Sequence, residues 1–144
     1  MPVRLSRAAA SRSSGAEPHT TSTDDMAGDD AFVSPLLALG ASGGILASAH
    51  LATDRFAALA DAWRAGDTSR ARALGHRLAR LSTRLFAEPN PAVVKGVLHA
   101  RGRIPTPDVR LPLLPASEEA VAAALRELAE AESQAASATE STAG

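Results

Sequence analysis

The chain has 144 residues, with 15 Lys plus Arg against 16 Asp plus Glu and no cysteine. So even a charge balance provides no field favouring nucleic acid or an acidic membrane, and the missing thiols exclude disulfides, thiolate nucleophiles and thiolate zinc sites. Apolar runs are broken by Gly, Ser or charge well short of the ~20 residues a membrane span requires, so neither nucleic acid nor membrane is an expected partner and the cytoplasm is the expected compartment.

Residues 1–25 are Ser, Thr, Arg and Ala with hardly a large apolar side chain, a composition that predicts disorder. Arg4, Arg7 and Arg12 without an early acid resemble a transit peptide in composition, but no apolar run follows to make a signal-peptide core. From Asp30 the pattern turns orderly. Asp30 is placed as the cap of a short helix carrying Phe32, Val33, Leu36, Leu37 and Leu39, with Asp29 outside it, Pro35 near the first turn and Gly40 as the stop; alternatively Ser34 is the cap and Pro35 the first helical residue. Gly43 to Ala49 is a continuous run of small and apolar residues, which predicts a strand buried on both faces. It is the one convincing strand, and a lone buried strand leaves both edges without partners.

Thr53 is the expected cap of a helix with Phe56, Leu59, Ala60 and Trp63 on one side and Gly66 at its end. Asp67 or Thr68 caps the next. Ala71, Leu74, Leu78, Leu81 and Leu85 form its packing stripe, Arg70, Arg77, Arg80 and Arg84 face solvent, and Glu88-Pro89-Asn90-Pro91 terminates it. The leucine repeat is too short for a coiled coil, and the arginine face lacks the interleaved aromatics of a nucleic-acid surface. A short helix with Val93, Val94, Val97 and Leu98 closes at Gly102, and Ile104 to Pro115 is too proline-rich for regular structure. Ser117 caps the last helix, Glu118 and Glu119 complement its positive end, and Val121, Ala124, Leu125 and Leu128 form its stripe. Past Glu132 the stripe stops, so residues 133–144 are predicted to be a disordered tail. The resulting fold class is mostly α with one or two short strands.

Asp29 and Asp30 invite a metal or shared-proton reading, but capping accounts for both. His76 and His99 lie far apart and no His-x-x-x-His spacing exists, so neither a metal nor a cofactor is predicted; His50 is read as a polar residue at a strand end.

The order Gly28-Asp29-Asp30, helix, Gly-rich strand, two long helices, Phe86-x-Glu88-Pro89-Asn90-Pro91-x-x-x-Lys95, helix and Arg110-Leu111-Pro112-Leu113 resembles the dihydrodipicolinate synthase/N-acetylneuraminate lyase family, over roughly Ala27 to Leu128. That resemblance implies a (β/α)8 barrel of ~250 residues or more. The chain would hold its C-terminal part: the loop after strand seven, helix seven, strand eight, helix eight and the helical extension. The implied division is 1–25 disordered and outside the family, 26–132 barrel part and extension, 133–144 tail. The abrupt change near Met26 is what an interrupted reading frame or an internal start would produce.

By resemblance, Ile45 lines the pyruvate pocket from strand eight, and Gly28 and Asp29 sit where the second substrate approaches. Gly43, Glu88, Pro89, Asn90, Pro91 and Lys95 belong to the family's structural motifs, and His50 stands where the family usually has Asn. Such enzymes work through a Schiff base between a strand-six lysine and a keto acid, with a tyrosine moving protons. The only lysine here is Lys95, which matches the motif and not the nucleophile, and there is no tyrosine. Thr20 and Thr21 lack the surroundings of the family's substrate-binding Thr pair. No catalytic residue is therefore assigned. The implied function is that of a pyruvate-dependent Schiff-base lyase, with lysine biosynthesis as the parent pathway, inactive without the lysine half. The alternatives are a split-enzyme subunit that meets its keto acid once a partner chain completes the barrel, and a non-catalytic helical interaction module.

Overall fold

The computed structural model describes residues 2–4 and 26–140. Three short strands, β1 (Pro2–Arg4), β2 (Met26–Ala27) and β3 (Gly43–Ile45), form one sheet in the order β1-β3-β2. β2 lies parallel to β3 with Met26 opposite Gly43, and β1 lies antiparallel with Val3 opposite Gly44. The predicted strand therefore does have neighbours on both edges, supplied by segments whose two or three residues are too few to show a period-two pattern. It is also shorter than expected, ending at Ile45 instead of Ala49.

A 3-10 turn at Asp30–Phe32 runs into α1 (Val33–Ala38), whose third residue is Pro35, a position where a missing N–H costs little. The cap assignment shifts by one residue. Asp29 is the cap, its Oδ1 accepting from the Ala31 N–H at 3.0 Å, while Asp30 is buried. Phe32 and Leu39 are exposed, while Val33 is buried and Leu36 and Leu37 pack half-buried against the core.

α2 (Ala49–Ala65) begins four residues before the predicted cap, with a break in helical geometry at Ala52. Thr53 does not cap. Its hydroxyl donates back to the Ala49 carbonyl at 2.5 Å, the local bond that lets Ser and Thr bend a helix. Gly66, at φ 75°, closes α2 in the left-handed conformation that glycine adopts without strain.

α3 (Thr68–Leu85) is capped by Asp67, whose Oδ1 accepts from the Arg70 N–H at 3.0 Å. Ala71, Leu78, Leu81 and Leu85 are buried as the stripe predicts; Leu74 is half-buried, and Gly75 and Ser82 join the buried face. α4 (Ala92–Ala100) buries Val93, Val94 and Val97. No helix or strand interrupts Gly102 to Ser117, as its prolines predict. α5 (Glu118–Glu140) extends into the residues predicted to be a disordered tail, of which 141–144 lie outside the described residues. The predicted disorder of residues 1–25 gives way to strand at Pro2–Arg4; its remainder lies outside the described residues.

α3 is the centre of the helical layer, packed against α2 on one flank and α5 on the other, with α4 against α5. The core joins Leu46, Phe56, Leu59, Leu78, Leu81, Val97 and Leu128 into one cluster. Two glycines allow close approach within it. A Cβ on Gly75 would stand 2.3 Å from Ser34 Oγ, and one on Gly96 would stand 2.5 Å from Val121 Cγ2. No described helix is long and apolar enough to cross a membrane.

Candidate functional site

β2 and β3 run parallel, so their carboxyl ends point the same way, and the loops leaving them meet at one end of the sheet. One step beyond the observed register, Gly28 falls level with Ile45. The three residues expected at a binding wall, Gly28, Asp29 and Ile45, are thereby brought to the same end of the sheet, and all three are exposed.

Ile45 departs from the buried strand residue that the apolar run predicts: it is 60% exposed, whereas Leu46 is 2% exposed. Successive side chains of a strand point to opposite faces. Leu46 shares an apolar wall with Val33, Leu37, Phe56 and Ala60, on the side of the helices. Ile45 occupies the other face, where no described element covers it.

The end of the sheet is held by a buried carboxylate. Asp30, 3% exposed, accepts from the Ser48 N–H at 2.5 Å, a contact spanning 18 residues. It ties the loop after β2 to the chain leaving β3 and satisfies a backbone N–H that lies in no strand. Adjacent in sequence, Asp29 and Asp30 thus perform different tasks, one capping locally and one bridging two loops. Local spacing gave no means of separating them, because the partner of Asp30 is remote in sequence.

Glu88 and Lys95, two of the other expected motif residues, bond to segments outside the sheet. Glu88 accepts from Ser117 N–H at 3.2 Å and from the Ser117 hydroxyl at 2.5 Å, while Ser117 Oγ accepts from the Ala120 N–H at 3.2 Å. The Glu-Pro-Asn-Pro turn therefore anchors the start of α5, 29 residues downstream. Lys95 donates its ammonium hydrogen to the Asp108 carbonyl, and His99 Nδ1 lies 3.2 Å from the Ile104 carbonyl, so both side chains of α4 pin the proline-rich loop. Gly43 is buried within β3, opposite Met26. His50 is exposed, and its carbonyl accepts from Arg103 at 2.6 Å. Among the described residues, no three His, Asp or Glu side chains converge as a metal ion would require.

The arrangement is a helix-backed pair of parallel strands with an uncovered opposite face and a loop end fixed by Asp30, the local geometry of a barrel wall. The model of the dihydrodipicolinate synthetase family matches residues 20–131. The chain belongs to that family. The match begins upstream of the boundary the motifs mark at Ala27, so part of the stretch read as foreign to the family lies within it.

Within the dihydrodipicolinate synthetase family, the chain is 44% identical over 104 residues to the 4-hydroxy-tetrahydrodipicolinate synthase of Symbiobacterium thermophilum, which covers 72% of this chain and 35% of that protein. The structure of dihydrodipicolinate synthase from Thermotoga maritima matches with a TM-score of 0.70 and 32% identity, over 74% of this chain and 36% of that one. That of the Acinetobacter baumannii enzyme, complexed with pyruvate, matches with a TM-score of 0.66 and 35% identity, over 73% and 36% respectively. The chain thus spans about one third of the length of the relatives it matches. Its fold is that of the C-terminal portion of their (β/α)8 barrel with the helical extension.

Proposed function

We propose that this chain forms the C-terminal wall and buttress of a 4-hydroxy-tetrahydrodipicolinate synthase-type lyase, acting on a pyruvate-class keto acid in the cytoplasm within lysine and diaminopimelate biosynthesis. The observation that carries the reading is the exposed Ile45 on the helix-free face of β3, level with Gly28 at the loop end of the sheet. In a barrel that face is the interior and the carboxyl ends of the strands bear the active site. Ile45 supplies apolar contact to the keto acid, and Gly28 leaves room for the second substrate beside it. The pyruvate held by the Acinetobacter baumannii relative supports the substrate class.

The amine that forms the iminium comes from outside these 144 residues. Lys95, the only lysine, sits on α4 with its ammonium engaged by the Asp108 carbonyl. These residues therefore shape the site and perform no covalent step. A partner polypeptide carrying the remaining barrel strands would restore the amine, which is the split-enzyme form of the proposal.

Borohydride reduction in the presence of pyruvate, followed by peptide mass spectrometry, tests it. The expected result is no adduct on the 144-residue chain alone, and an adduct on the strand-six lysine when a relative's barrel, cut before its Gly-Asp-Asp motif, is added. Turnover by the chain alone, or a pyruvyl adduct on Lys95, would refute it. The continuous core across α2, α3, α4 and α5 favours a second reading, a helical interaction module, for which complementation would fail while cooperative unfolding persisted.

A further inference from the structure

β3 is the middle strand, and its two edges are treated differently. On one edge β2 is parallel, as consecutive barrel strands are. On the other, Pro2, Val3 and Arg4 pair antiparallel with Ile45, Gly44 and Gly43. A (β/α)8 barrel contains only parallel neighbours, and its last strand closes the ring by pairing with its first. The edge held by β1 is therefore the closing edge, filled in the opposite sense. Residues 2–4 also lie outside the family match, which starts at residue 20, so this strand is not one of the barrel's own.

We propose that Pro2–Arg4 is a built-in strap over the barrel-closing edge of β3, and that a parallel strand from the rest of a barrel can pair there only after the strap has left. An open edge with unpaired N–H and C=O groups recruits other chains indiscriminately, and an intramolecular strand of three residues covers it. Three residues offer few ladder bonds, and Pro2 contributes no donor. A barrel strand of typical length, about five or six residues, makes more bonds and displaces it. The partner that fits this surface is thus an extended parallel strand, and the strap selects against shorter or poorly matched edges. The strap itself stands on the pairing register; only the identity of the displacing strand rests on the proposed function.

Two variants of the full chain, Val3→Pro and a deletion of residues 2–4, test the strap by hydrogen exchange of the peptide containing Gly43–Leu46. Exchange there is expected to accelerate about tenfold in both, with residues 71–85 of α3 unchanged. Protection equal to that of the parent chain in both variants would overturn the strap. Adding the barrel portion of a relative, cut before its Gly-Asp-Asp motif, tests the displacement: both variants should associate several-fold faster than the parent chain. Equal association rates would overturn the gating role. Association by none of the three would refute the proposed function, while the exchange result would still decide the strap.

Discussion

Gly75 lies in the middle of α3, where alanine would ordinarily stabilise the helix by about 1 kcal/mol. The surroundings reverse that sign. An alanine Cβ would meet Ser34 Oγ at 2.3 Å and Ser34 Cβ at 2.7 Å, and the latter is fixed to the α1 backbone and cannot rotate away. The same Ser34 Oγ accepts the indole N–H of Trp63 at 3.0 Å. Overpacking of this kind costs about 1–3 kcal/mol, and loss of the indole hydrogen bond about 1 kcal/mol more. Set against the propensity gain, Gly75→Ala should destabilise by about 1–3 kcal/mol. Trp63 is the only tryptophan, so its fluorescence reports on this junction during urea unfolding of the full chain. With an m-value near 1–3 kcal/mol/M, the midpoint should fall by on the order of 1 M. Combining Gly75→Ala with Ser34→Gly should recover part of the loss, a coupling of at least ~1 kcal/mol between residues in contact. A single Gly75→Ala variant with a raised midpoint would refute the close packing of α1 on α3.

Glu88→Ala removes the acceptor for both Ser117 groups and should cost about 1–2 kcal/mol, with faster amide exchange confined to the first turn of α5; Glu88→Gln, which keeps one acceptor, should cost less. Asp30→Ala leaves the buried Ser48 N–H without a partner and should destabilise by about 1–3 kcal/mol in thermal melts, whereas Asp29→Ala, losing an exposed cap, should cost roughly 1 kcal/mol or less. Lys95→Met should leave overall stability within about 1 kcal/mol, yet make the 103–110 loop cleave faster in limited proteolysis. Arg80→Ala, which breaks an ion pair to Glu127 whose arginine side chain is 59% exposed, should change stability by less than ~1 kcal/mol, less still in high salt.

The helices were legible because each writes its packing face many times over. α3 repeats its apolar positions across five turns and begins with Asp67, so both its extent and its buried side follow from local pattern. The strands were legible only in part. β2 and β1 are two and three residues long, and nothing in Met26–Ala27 or Pro2–Arg4 distinguishes a strand from a loop until β3 is beside it. Ile45 was misjudged for a related reason. The run Gly43 to Ala49 is of small and apolar residues, as suits a strand covered on both sides, but no described element covers Ile45, which alone in the run is exposed. At the candidate site, Gly28, Asp29 and Ile45 were singled out by motif resemblance, not by periodicity, and the sheet register brings them to one end of β3. The bridging role of Asp30, the Glu88–Ser117 bonds and the Ser34–Trp63–Gly75 junction had no local signature, since each joins residues at least 18 apart in sequence.

The two faces of β3 also differ in how far they are enclosed. On the helix face, Leu46 is enclosed and continuous with the cluster that holds α2, α3 and α5 together. Substitution there empties packed space, and Leu46→Ala should cost about 2–5 kcal/mol. On the other face, Ile45 has lost little water, so Ile45→Ala removes no enclosed contact among the described residues and should cost well under 1 kcal/mol in the same chain. Under the proposed function, with a barrel completed around it, Ile45→Ala should weaken keto-acid binding while the melting of the helical layer stays where it was. A large loss of stability from Ile45→Ala in the chain by itself would mean that its side chain is already enclosed, and the open-wall geometry would fall with it.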